Sequence, residues 1–313
     1  MTTLTETPER VEPAGGTVVR RAPLPRSARA GLLMLLPAVL ALGLFFLIPL
    51  AQILVQSLTQ PEPGLGNYIA LFTDGVTIKV LARTLVVGVI VTFGTLLLAY
   101  PYTYVMTLVS PTMRAVMFTV VLIPFWTSML ARNYAWFILM QRDGLIERTF
   151  SAIGIDGVVL IGTTEGVAIV MIGVLLPFMV LPMYSVMSQI DPRMMAAGQS
   201  LGASRTASFR KIYLPLSKPG IISGCSLVFI LTLGFYITPA LIGSPQGALI
   251  AQMMAIRTQK LLDFGGAGAM GILILVVTVV VLLLGQRFSG RGAQALASAG
   301  RDAAGAGSKG GQR

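Results

Sequence analysis

The sequence predicts an all-α, polytopic membrane protein with six transmembrane helices. Three observations carry that reading. Of 313 residues, 55% are hydrophobic and 11% charged, where a soluble domain carries about 25% charged. Mean hydropathy is +0.81. The apolar residues are gathered into six runs, each near or above the ~20 residues that cross a bilayer as a helix. A helix satisfies its own backbone hydrogen bonds in lipid, and an open strand does not.

The elements follow in order. Residues 1–30 are rich in Thr, Pro, Glu, Arg and Gly and read as a disordered N-tail. A secretory signal beginning at Arg20-Arg21 competes, but the apolar run behind it is too long for one. The spans are Gly31–Leu54, Val80–Leu108, Met113–Met140, Gly166–Met187, Gly220–Ile242 and Gly268–Leu284. Ser110-Pro111 gives the third span an N-cap and a proline in its first turn. Ser217-Lys218-Pro219 does the same for the fifth. Pro124, Pro177, Pro182 and Pro239 predict kinks. Gly220 and Gly224 let a neighbouring helix approach closely. Arg287 closes the sixth span, and residues 288–313 read as a disordered C-tail of Gly and Ala.

Charge sets the topology. Lysine and arginine number 23 and acids 12. With the N-terminus inside, the inner segments hold 16 of the basic residues and five of the acids, which is the entire net charge of +11. The outer loops hold seven acids. The positive-inside rule then places both termini in the cytoplasm. The basicity is topology and not a nucleic-acid footprint.

Composition also excludes chemistry. The chain has no histidine and one cysteine, Cys225. That removes Ser-His-Asp and Cys-His catalysis, HExxH zinc sites and disulfides within the chain. No catalytic residue and no metal site is expected. No G-x-x-x-x-G-K-[ST] loop occurs, so the chain does not itself hydrolyse ATP by that route.

The informative segment lies between spans four and five, residues 189–218. Asp191 caps, Pro192 starts a helix, and Gly202 breaks it. A second helix is expected from Ser204 to Tyr213, ended by Pro215. Phe209, Ile212 and Tyr213 share one face at i, i+3, i+4, while Arg205, Arg210 and Lys211 lie elsewhere around it. By periodicity alone this is either an amphipathic helix on anionic lipid or a docking helix for a cytoplasmic partner.

The stretch resembles the signature loop of inner-membrane permeases of binding-protein-dependent ABC importers. That pattern is EAA, three residues, Gly, nine residues, Ile, one residue, Leu-Pro. Ala197, Gly202, Ile212, Leu214 and Pro215 match it, while Ala196 replaces the family Glu and Gly198 the second Ala. Pro124–Trp136 and Leu233–Gly243 are similar to the spermidine/putrescine-type subfamily. There Phe235 stands where an acidic residue often follows the glycine.

The resemblance implies a type I ABC importer permease fold over residues 31–287, in a bacterial inner membrane, with 189–218 as the coupling loop. It implies a transport subunit, not an enzyme, with ATP bound by a cytoplasmic ATPase dimer. A second permease, a paralogue, would complete the pore, and an extracytoplasmic binding protein would deliver a polyamine-like or other small polar solute. Packing by Phe209 and Ile212, with Arg205, Arg210 or Lys211 meeting acidic groups, is the expected ATPase contact. Trp126, Arg132, Asn133, Tyr134, Phe235, Tyr236 and Thr238 are the candidate solute path. The competing class is an ion-coupled secondary transporter, which needs a carboxylate within a span; the acids here sit in loops or at span edges.

Overall fold

The computed structural model describes residues 35–309, with side chains as far as Arg287. Among them all regular structure is helical. The chain divides into two compact units, Met1–Ala51 and Gln52–Arg313. The described part of the first is the start of α1 (Leu35–Thr59), which carries a π-turn at Gly43–Leu47.

The second unit holds the remaining elements. They are α2 (Gly66–Thr73), α3 (Gly75–Leu108), α4 (Pro111–Trp126), α5 (Met129–Met140), α6 (Leu145–Ala152), α7 (Thr164–Met187) and α8 (Pro192–Ser200). Then come α9 (Arg205–Leu233), α10 (Ile237–Ile242), α11 (Ile250–Gln259) and α12 (Phe264–Lys309). Helices α1, α3, α7, α9 and α12 are each long and apolar enough to cross a bilayer. The pair α4 with α5–α6 makes a sixth, bent by 96° at its break. The fold is the all-α, six-span one the sequence predicts.

Three boundaries differ from the sequence reading. The third span is broken and not merely kinked. Pro124 removes a backbone donor near the end of α4, the chain is extended at Thr127, and α5 starts afresh at Met129. The fifth span is Arg205–Leu233, starting earlier and ending earlier than expected. Pro215 and Pro219 do not interrupt it, and Pro239 falls in the separate helix α10. Finally, α12 continues to Lys309 where a disordered tail is expected; the alanines of that stretch are strong helix formers.

Helix α7 is the hub. It is apolar all round. Met171, Leu175, Met179, Met183 and Met187 are fully buried along it, while Ile169 and Leu181 remain exposed on its outer flank. Flexible methionines fill its irregular contacts with α3 and α9. The expected close approach at Gly220 and Gly224 is made by α7. A Cβ at Gly220 would lie 3.2 Å from Cα of Met183, and one at Gly224 would lie 3.1 Å from the Met179 carbonyl. Lipid tails are as apolar as leucine, so van der Waals packing, not water exclusion, holds such helices together.

Candidate functional site

The loop between α7 and α9 folds as its sequence dictates. The Asp191 carboxylate accepts the Arg193 N–H at 2.9 Å and caps α8, with Pro192 in the first turn. Gly202 ends that helix at φ +89°, a conformation that costs any side chain strain. Its N–H donates to the Gln199 carbonyl, and that of Ala203 to Gly198. Ser204 Oγ then accepts from Ala207 N–H and caps α9. One π-turn follows, Phe209–Tyr213, in which Leu214 N–H reaches back to the Phe209 carbonyl. Pro215, next in line, has no N–H, so the widened turn falls where the ladder is interrupted anyway. This is why Pro215 does not end the helix.

The aromatic face of the loop turns inward. The Phe209 ring centroid lies 5.3 Å from that of Tyr104 and 6.2 Å from that of Tyr100, both on α3. Tyr213 lies 4.9 Å from Tyr104 and stacks on Phe209 at 5.6 Å. The Tyr213 hydroxyl meets Thr107 Oγ1 at 3.3 Å, and that of Tyr100 meets Ser217 Oγ at 3.2 Å. Ile212 packs on α8, where a Cβ at Gly198 would come within 2.7 Å of its Cδ1. Gly198 in place of the second alanine makes room for that contact. Phe209 and Ile212, both half-buried, therefore anchor the loop on its own bundle. The face at i, i+3, i+4 is thus shared, with Phe209 and Tyr213 on α3 and Ile212 on α8.

The outward face is different. Leu201 is 90% exposed at the tip beside Gly202. Ala196, Ala197, Arg205, Arg210, Lys211 and Pro215 of the same segment are also exposed, and Leu214 is half-buried. Sequence reasoning treated Leu201 only as an apolar position of α8 and missed Tyr100 and Tyr104. A signal for the latter exists: two aromatic pairs at i, i+4, Tyr100/Tyr104 and Phe209/Tyr213, on helices that meet.

The candidate path residues divide. Asn133 and Thr238 come together, both with no exposed surface. Thr238 Oγ1 donates to Asn133 Oδ1 at 2.7 Å, and Asn133 Nδ2 donates to the Met129 carbonyl at 2.8 Å. A single side-chain bridge thus joins α5, the second half of the broken span, to α10. Beside it a cavity of about 540 Å³ is lined by Asn133, Tyr134, Phe137 and Leu241 among others. Tyr134 stacks on Phe137 at its edge. Trp126 stands 89% exposed at the break. Arg132 donates to the carbonyls of Pro124 and Thr127 and to Thr127 Oγ1. It caps the carbonyls that the break releases. Phe235 and Tyr236 lie on the connector from α9 to α10, half-buried and exposed respectively. Among the described residues no three His, Cys, Asp or Glu side chains gather as a metal site would require.

Comparison with known proteins matches residues 104–293 to the family described as "Binding-protein-dependent transport system inner membrane component". The spermidine/putrescine transport system permease protein PotB of Escherichia coli (strain K12) is 30% identical over 227 residues, 72% of this chain and 82% of that protein. The inner membrane ABC transporter permease protein YdcU of the same organism is 33% identical over 208 residues, 62% of this chain and 66% of that one. The fold is similar to a chain of a bacterial ABC transporter involved in the import of the acidic polysaccharide alginate. The TM-score is 0.64 at 21% identity, over 84% of this chain and 96% of that chain.

Proposed function

We propose that this chain, which belongs to the family of inner membrane components of binding-protein-dependent transport systems, uses its α8–α9 loop to couple solute passage to a separate ATPase. It is an ABC importer permease, similar to the spermidine/putrescine type. In the proposal it forms half of the translocation pathway. A second permease, a paralogue, forms the other half, and a cytoplasmic ATPase dimer supplies the work. An extracytoplasmic binding protein delivers a polyamine-like or other small polar solute. Both termini and the α8–α9 loop face the cytoplasm, as the charge distribution requires.

The observation that carries the reading is the two-faced loop. Its apolar knob, Leu201, is 90% exposed with three cations around the same segment. Its aromatic face is bonded to α3. An exposed apolar anchor on a segment that also carries exposed charge is what a docking contact needs. A push on such a loop moves α3 and α9 together, because the rings leave it no independent path. The cavity beside Asn133 and Tyr134 lies between the broken-span segments α5 and α10, a placement that suits a solute.

The test is purification of the tagged chain from its native host in mild detergent, followed by mass spectrometry of what stays attached. An ATPase subunit, together with a second permease, is expected. A chain that comes out alone, with uptake that survives ATP depletion and follows an ion gradient, overturns the reading in favour of a secondary transporter.

A further inference from the structure

The end of α3 remote from the α8–α9 loop carries a cleft of about 640 Å³, between α3, the turn before α11, and α11 itself. Asp74, Lys79, Arg83, Arg257 and Asp263 line it. Both acids are engaged. Asp74 accepts the N–H groups of Val76 and Thr77 and the Thr77 hydroxyl. Asp263 accepts the Gly266 N–H on one oxygen and pairs with Arg257 at 3.1 Å on the other.

Two of the cations are not engaged in this way. Lys79 has no hydrogen-bond or ion-pair partner among the described residues. Arg83 gives one Nη to the Ala248 carbonyl at 3.3 Å and keeps the rest of its guanidinium free. They stand one turn apart on one face of α3. The facing wall is fixed, because the fully buried Thr84 Oγ1 accepts the Ile250 N–H at 2.9 Å and holds the start of α11.

We propose that this cleft binds an anionic group, a carboxylate or a phosphate, between Lys79 Nζ and the free side of the Arg83 guanidinium, with Arg257 behind. Arginine's planar fork matches two oxygens of such a group, and lysine adds a mobile point charge. The volume is that of a small-molecule site. The same chemistry can come from two sources. One is a free small anion. The other is the headgroup of an anionic phospholipid, since Lys79 and Arg83 lie roughly 6 and 12 Å along α3 from Gly75 by helical rise. A polycation is repelled at this position.

The experiment uses the intact complex purified with its partners, carrying the native chain, Lys79→Gln with Arg83→Gln, or Lys79→Arg. Sodium citrate, inorganic phosphate and spermidine are titrated calorimetrically in detergent. Phosphatidylglycerol retention is counted by native mass spectrometry from nanodiscs of phosphatidylcholine with and without that lipid. Loss of two charged hydrogen-bonding groups should weaken binding by about tenfold or more, and Lys79→Arg should keep it. Citrate or phosphate bound in detergent identifies a free anion; retention of phosphatidylglycerol alone identifies a headgroup. Either supports the site. Equal behaviour of the native chain and the double variant toward all three anionic probes overturns it, as does spermidine binding that the double variant abolishes.

Discussion

The ring of Phe209, on the α8–α9 loop, meets the ring of Tyr104, on α3, edge to face at 5.3 Å. A surface loop is thereby tied to the C-terminal end of a 34-residue helix. Such a pair is worth about 0.5–1.5 kcal/mol beyond its burial. Phe209→Ala and Tyr104→Ala should each lower solute taken up per ATP hydrolysed while ATP hydrolysis continues. Tyr104→Phe should behave as the native chain, because its hydroxyl takes no part in the ring contact. Unchanged stoichiometry in both alanine variants would sink the lever.

Gly202 sits at φ +89° with no atom near where its Cβ would be. A substitution therefore meets strain and no clash. Gly202→Val should cost about 1–3 kcal/mol at the turn and redirect α9 against α8. Assembly is expected to survive while uptake falls and hydrolysis uncouples from it. Gly202→Asn, which tolerates that backbone region, should be milder. Normal uptake in Gly202→Val is the contrary result.

Asn133 and Thr238 form a fully buried bridge between α5 and α10. Hydrogen bonds between membrane helices average about 0.6 kcal/mol and reach about 1.7. Thr238→Val should cost more than that average, because Asn133 Oδ1 is left buried without its donor. The double variant Asn133→Leu, Thr238→Val should recover part of the loss. A double-mutant cycle on thermal unfolding of the complex reads it, and strict additivity would mean the bridge carries no coupling energy.

Asp74 is held below the usual carboxylate range by the Thr77 hydroxyl first, and by the N–H groups of Val76 and Thr77. A lowered folded value means the cap stabilises fully above the unfolded value and loses its effect as pH falls through the folded one. The Tm gap between the native chain and Asp74→Asn should be constant from neutral pH to about pH 5 and close only below that. A gap that closes near neutrality would contradict the assignment.

Much of this was legible in the sequence. Apolar runs fix the six spans because lipid leaves no alternative to a helix. Asp191, Pro192, Gly202 and Ser204 mark the loop because caps and positive φ have strong local preferences. The misread parts are those that depend on neighbours. Whether Pro124 kinks a helix or ends it depends on who receives the freed carbonyls, and Arg132, eight residues on, receives them. Which helix receives the Phe209 ring depends on Tyr100 and Tyr104, more than a hundred residues away. Pairing of Asn133 with Thr238 across 105 positions has no local signal.

The most direct test of the account places a reporter on the exposed knob. Cys225→Ser removes the native thiol, and Leu201→Cys puts one at the loop tip. In membranes of the native host, a short bifunctional thiol–amine crosslinker should join this chain to a cytoplasmic ATPase subunit, and the yield should change when ATP is trapped. Uptake-competent Leu201→Cys protein that captures no ATPase, in either nucleotide state, would contradict the claim that this loop is where the work enters.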